Sequence, residues 1–190
     1  MQLAESVENM KIIETALPGL LILEPRIFKD TRGAFCETYN ERMMEQAGLP
    51  TRWVQDNFSV SNKNVVRGIH YQIQKTQGKL VRVTHGTVWD VAIDLRRSSP
   101  TFGKHVGVEL SGENGLLFWI PEGFGHGFVT LSEAAGFAYK VTEYYSPADE
   151  RTLLWNDPEI AIPWPVSESE AIISDKDQQG RSLREAEVFA

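Results

Sequence analysis

Thr87-Val-Trp-Asp-Val-Ala-Ile-Asp-Leu95 is the stretch whose reading decides the fold. It is rich in β-branched and apolar residues. A period of two puts Trp89, Val91, Ile93 and Leu95 on one face. Val88, Asp90, Ala92 and Asp94 take the other. The first face reads as core. The second carries two carboxylates and is expected to front water or a site.

Similar runs lie on either side, at 65–73, 79–84, 104–110, 116–120, 127–131 and 136–145. Fifteen Gly and nine Pro punctuate the chain. Short apolar runs between turn residues are how antiparallel sandwiches and barrels read. Tyr139, Tyr144 and Tyr145 fall on one expected strand, with Tyr139 and Tyr145 on the same face. One helix is expected at 41–47, capped by Asn40 and stopped by Gly48 and Pro50. No repeat, low-complexity tract or splitting linker appears. The reading is one domain over 10–190, preceded by a disordered extension over 1–9.

The chain has 190 residues, a formal net charge of −7 and one cysteine, Cys36. An acidic surface argues against bulk nucleic-acid binding. A lone cysteine excludes a disulfide framework and a cysteine-based zinc cluster within the chain. Glu5 and Glu8 stand where a secretory leader would be basic. The apolar runs are too short to span a bilayer. A soluble, cytoplasmic protein without a membrane partner is expected.

His70 lies in Arg67-Gly-Ile-His-Tyr-Gln72, with Lys79 and Arg82 following. Strict alternation sends Arg67 and His70 to opposite faces. If both serve one pocket, Gly68 must mark a bulge that re-aims the strand. His126 lies in the turn-rich Pro121-Glu-Gly-Phe-Gly-His126. A metal would ask for a second histidine two residues after His70, and that position holds Gln72. His85 and His105 do not complete a ligand set, so no catalytic metal is expected. Asp175-Lys-Asp177 reads on its own as a solvated turn.

Taken in order, the motifs form a longer pattern: Arg26-x-Phe28, Asp30-Thr-Arg32-Gly33, Glu37, Gln55-Asp-Asn57, Arg67-Gly-Ile-His70-Tyr-Gln72, Gln77-Gly-Lys79, Trp89-Asp90, Trp119-Ile-Pro-Glu-Gly-Phe-Gly-His126, Tyr139-Lys, Tyr144-Tyr145-Ser-Pro and Trp155-Asn-Asp-Pro158. The pattern closely resembles the dTDP-4-dehydrorhamnose 3,5-epimerase family. The resemblance implies an all-β, cupin-like jelly-roll barrel with short peripheral helices. It implies a homodimer with exchanged N-terminal strands, a dTDP-4-keto-6-deoxyhexose substrate and no cofactor. Phe58, where a polar residue is common, is a departure from the pattern.

The resemblance also implies roles. His70 becomes the base that takes protons from C3 and C5, with Asp177 as its carboxylate partner. Lys79 would sit near the developing C4 oxyanion. Tyr139 becomes the acid, with Tyr145 as the alternative. Arg32, Arg67, Phe28, Glu37, Gln55, Asn57 and Tyr145 would bind substrate, with Phe28 stacking on thymine. Asp90 and His126 would support Lys79 or His70. Rival readings are a single-site epimerase of a related dTDP-keto sugar, a metal-dependent cupin enzyme and a non-catalytic nucleotide-sugar module.

Overall fold

The computed structural model describes residues 6–7 and 9–190, the first pair by backbone alone. The expected extension over 1–9 falls largely on residues 1–5 and 8, which lie outside the described residues. In chain order the N-terminal strands are β1 (Ser6–Val7), β2 (Met10–Glu14), β3 (Leu21–Pro25), β4 (Ile27–Asp30) and β5 (Gly33–Cys36). Next come β6 (Gln55–Asn62), β7 (Val65–Gln72), β8 (Lys79–His85), β9 (Thr87–Asp94) and β10 (His105–Ser111). The last five are β11 (Leu117–Ile120), β12 (Phe124–Thr130), β13 (Ala134–Val141), β14 (Glu150–Thr152) and β15 (Ile172–Ile173). Two short helices, α1 (Glu41–Gln46) and α2 (Asp175–Gln178), lie at the periphery.

One seven-stranded sheet runs β1-β2-β3-β11-β8-β13-β6. A second runs β10-β9-β12-β7-β14, with β15 added parallel to β7. Both sheets feed one core: Val81, Phe118 and Phe137 meet Val88, Ala92 and Phe128. This is the expected all-β architecture with peripheral helices. β4 and β5 form a separate hairpin.

On β9 the face read as core is buried, and so is much of the face read as fronting water or a site. Val88 and Ala92, on the face given to water or a site, point between the sheets. Val91, Ile93 and Leu95 pack outside the barrel, against Leu153, Ile160, Ile162 and Leu183 of the C-terminal tail. The tail is pinned by Asp157, whose carboxylate accepts the backbone N–H groups of Glu159, Ile160 and Leu183. A buried carboxylate with three donors is well satisfied. This anchoring carries the chain on toward α2 and Asp177.

On the outer face of the seven-stranded sheet, Met43 and Met44 of α1 cover Leu80, Leu117 and Trp119. The helix begins where expected, with Asn40 accepting the Met43 N–H at 3.3 Å. Two strand expectations need correction. β13 ends at Val141, so Tyr144 and Tyr145 lie in the following loop. There Gly78 and Thr142 bond to each other, and the chain leaves the sheet. β6 was not expected as a strand, because its inward residues are polar. Gln55, Asn57, Ser59 and Ser61 alternate inward, while Phe58 and Val60 are exposed.

Candidate active site

The site starts with an irregularity in β7. His126 pairs with His70, and Phe128 pairs with Arg67. Three steps along β7 therefore span two along β12, which is a β-bulge. Gly68 sits in it with φ +114°. A Cβ there would lie 2.6 Å from both Gly127 Cα and the His126 carbonyl oxygen. Only glycine fits that backbone and that space. The bulge turns Arg67 and His70 into the same cavity, as the sequence required if both were to serve one pocket.

That cavity holds about 300 Å³ and lies between the sheets. Arg67, His70 and His126 come from one sheet. Asn57, Lys79, Phe137 and Tyr139 come from the other. Phe137 stacks on Phe128 at 4.3 Å between centroids and on His126 at 5.9 Å. The polar groups thus emerge from a packed aromatic floor, which limits their freedom to move.

His70 is half-buried, and its Nε2 lies 2.6 Å from Asp177 Oδ1. Asp177 is 3% exposed. Its other oxygen accepts the Gly68 N–H at 3.2 Å, tying the dyad to the bulge. Ser174 caps α2 by accepting the Asp177 N–H. Burial opposes ionisation of Asp177. The His70 bond and charge, the Gly68 N–H and Lys176 outweigh it and hold the carboxyl below its ordinary range. An ionised Asp177 keeps a proton on Nε2 and leaves the Nδ1 lone pair of a neutral imidazole free.

Lys79 is 8% exposed and makes no hydrogen bond or ion pair among the described residues. Burial drops its ammonium from 10.5 to about 8, against the pull of Asp90 and Glu150. His126 Nε2 contacts both Asp90 oxygens, at 3.0 and 2.9 Å. Asp90 is fully buried. Burial pushes Asp90 up and His126 down, while their contact opposes both shifts. Tyr139 is half-buried, and its hydroxyl makes no hydrogen bond among the described residues. Burial raises the phenol above its ordinary value, with Arg67 opposing. It therefore holds its proton at neutral pH.

The remaining expected residues divide. Gln55 Nε2 donates to Asn57 Oδ1 at 2.8 Å, and Gln55 Oε1 accepts the Tyr145 N–H. Tyr145 is exposed and donates its hydroxyl to Glu150. Phe28 and Arg32 line a separate hollow on the β4–β5 hairpin, where Arg32 bonds Asp30. Glu37, between β5 and α1, makes no side-chain hydrogen bond among the described residues.

Sequence reasoning passed over three participants. Glu150 joins Tyr145 to Lys176. Ser61 accepts from Arg67. Gln72 is 3% exposed and ties two loops, donating to the carbonyls of Lys75 and Tyr144 and accepting the Ser146 N–H. The inward polar alternation of β6 was the available signal for Ser61. Glu150 lies on β14, which pairs with the His70 strand β7 although six strands separate the two in the chain, and it left no local signal. Among the described residues, no three His, Cys, Asp or Glu side chains cluster to hold a metal.

The site thus holds a histidine–carboxylate pair opposite a tyrosine, with a buried lysine beside them. The family model for dTDP-4-dehydrorhamnose 3,5-epimerase matches residues 14–185. The chain belongs to this family. It is 52% identical over 181 residues to the dTDP-4-dehydrorhamnose 3,5-epimerase of Pseudomonas aeruginosa, covering 95% of this chain and 99% of that one. The 3,5-epimerase of Legionella pneumophila, crystallised with dTDP-4-keto-L-rhamnose, superposes with a TM-score of 0.90 at 51% identity. That match covers 94% of this chain and 95% of the other. A dTDP-4-dehydrorhamnose 3-epimerase from Streptomyces niveus is 37% identical, covering 93% of this chain and 86% of that one. Like other 3,5-epimerase family members, this chain is an isomerase by descent and an all-β protein by fold.

Proposed function

We propose that the protein epimerises dTDP-4-dehydro-6-deoxy-D-glucose at C3 and C5, giving dTDP-4-dehydro-L-rhamnose. One observation carries the reading. His70 and Tyr139 come from opposite sheets and line the same cavity. Inversion requires a proton to leave one face of the sugar and return to the other. Both carbons flank the C4 ketone, so loss of either hydrogen gives an enolate. The reaction moves protons only and calls for no redox cofactor.

In this mechanism His70 Nδ1 takes the proton, and Asp177 stabilises the imidazolium that forms. Lys79 holds positive charge beside the developing C4 oxyanion, where low polarity strengthens it. Tyr139 returns a proton from the opposite face. Its raised pKa keeps the phenol protonated for that step. Arg67 binds the diphosphate, and Asn57 and Gln55 line the approach. The His126–Asp90 pair flanks Lys79 and fixes the local field.

The protein acts as a homodimer with exchanged N-terminal strands. The β4–β5 hairpin supports this, because it joins neither sheet and exposes Phe28 and Phe35. Phe28 and Arg32 would then reach the partner's nucleotide site. Location in the cytoplasm fits a chain with one cysteine. No described helix is long and apolar enough to cross a membrane.

Incubation with dTDP-4-keto-6-deoxyglucose in heavy water tests the reaction. Deuterium at both C3 and C5 is expected. Label at C3 alone would move the protein to the activity named for the Streptomyces niveus relative.

A further inference from the structure

Arg67 is exposed on β7, yet one of its nitrogens is anchored. Its Nε–H donates to Ser61 Oγ at 2.9 Å. Ser61 is 3% exposed and sits at the inward end of the β6 alternation. A guanidinium has five N–H groups in a fixed plane. With Nε held, the plane's orientation is set, and the two terminal nitrogens remain as a fork. They make no other hydrogen bond among the described residues. Such a fork suits two oxygens of a phosphate.

We infer that Ser61 is a positioning residue that aims the Arg67 fork at the diphosphate of the nucleotide sugar. This rests on the reading of Arg67 given above. The anchor fixes rotamers that a free arginine would lose entropy to adopt on binding. Ser61 does not face the reacting carbons, because His70 and Lys79 line the cavity and Ser61 does not. Its effect therefore falls on binding, which both ground and transition states share.

A double-mutant cycle tests this. Ser61→Ala is expected to raise KM, and to weaken dTDP binding by calorimetry, about tenfold. kcat stays within about twofold. In an Arg67→Lys background, which has no Nε–H to anchor, Ser61→Ala should change neither. Ser61→Thr, which keeps the hydroxyl, restores most of the affinity lost in the alanine variant. Urea denaturation of each variant checks that the fold is retained. Equal losses in both backgrounds, or none in the first, would overturn the inference. Failure of the unaltered protein to bind dTDP would instead overturn the functional reading.

Discussion

Lys79→Met should make the protein more stable and much less active. Methionine keeps the length and apolar stem of lysine but carries no charge. In the folded protein burial lowers the Lys79 pKa from 10.5 to about 8. At 1.36 kcal/mol per pH unit, holding that charge at pH 7 costs the fold about 3 kcal/mol. The sign follows from proton counts. Between pH 8 and 10.5 the unfolded chain binds more protons at this site than the folded one. Lysine-bearing protein therefore gains stability as pH rises through that window, and the variant does not. Urea denaturation at matched protein concentration should find Lys79→Met ahead by about 3 kcal/mol at pH 7. The lead should shrink toward the methionine's own packing contribution by pH 10.5. Turnover should fall about 10²- to 10³-fold, the usual loss when an oxyanion stabiliser is removed. A variant no more stable than the parent at pH 7 would refute the reasoning. It would mean that the ammonium is fully compensated in the folded state.

Three further outcomes follow from the geometry. Asp177→Asn leaves the side-chain shape but removes the charge that fixes the imidazole tautomer. Steady-state turnover should drop about 10³-fold or more while dTDP binding by calorimetry changes little. Tyr139→Phe should lower kcat about 10²-fold or more, and Tyr145→Phe less than about fivefold. The reverse order would give the acid role to Tyr145. Gly68→Ala should cost about 2–4 kcal/mol in urea denaturation, since its Cβ would meet Gly127 and His126 backbone.

The strand content was legible because β8, β9 and β12 are short runs rich in apolar residues. β6 was not, because its inward residues are polar and its apolar residues face out. On β9 the face read as core is buried, but against the C-terminal tail rather than between the sheets. Alternation separates two faces but does not say which one a distant tail will cover. For the site, Gly68 between Arg67 and His70 was a usable clue, because the conflict with strict alternation demanded a bulge. Asp177 was not legible from its own surroundings, which read as a charged turn. Only the resemblance singled it out, and it reaches His70 through a fold-back anchored at Asp157. Tyr145 was misplaced on β13 because propensity continues past Val141 while the pairing does not.

The central element of the proposed mechanism is His70 as the group that takes the proton. Deuterium incorporation at C3 and C5 by His70→Ala in heavy water, followed by NMR, tests this directly. No label above the enzyme-free background is predicted at either carbon, from protein that still binds dTDP. Label at the rate of the unaltered protein would contradict the account.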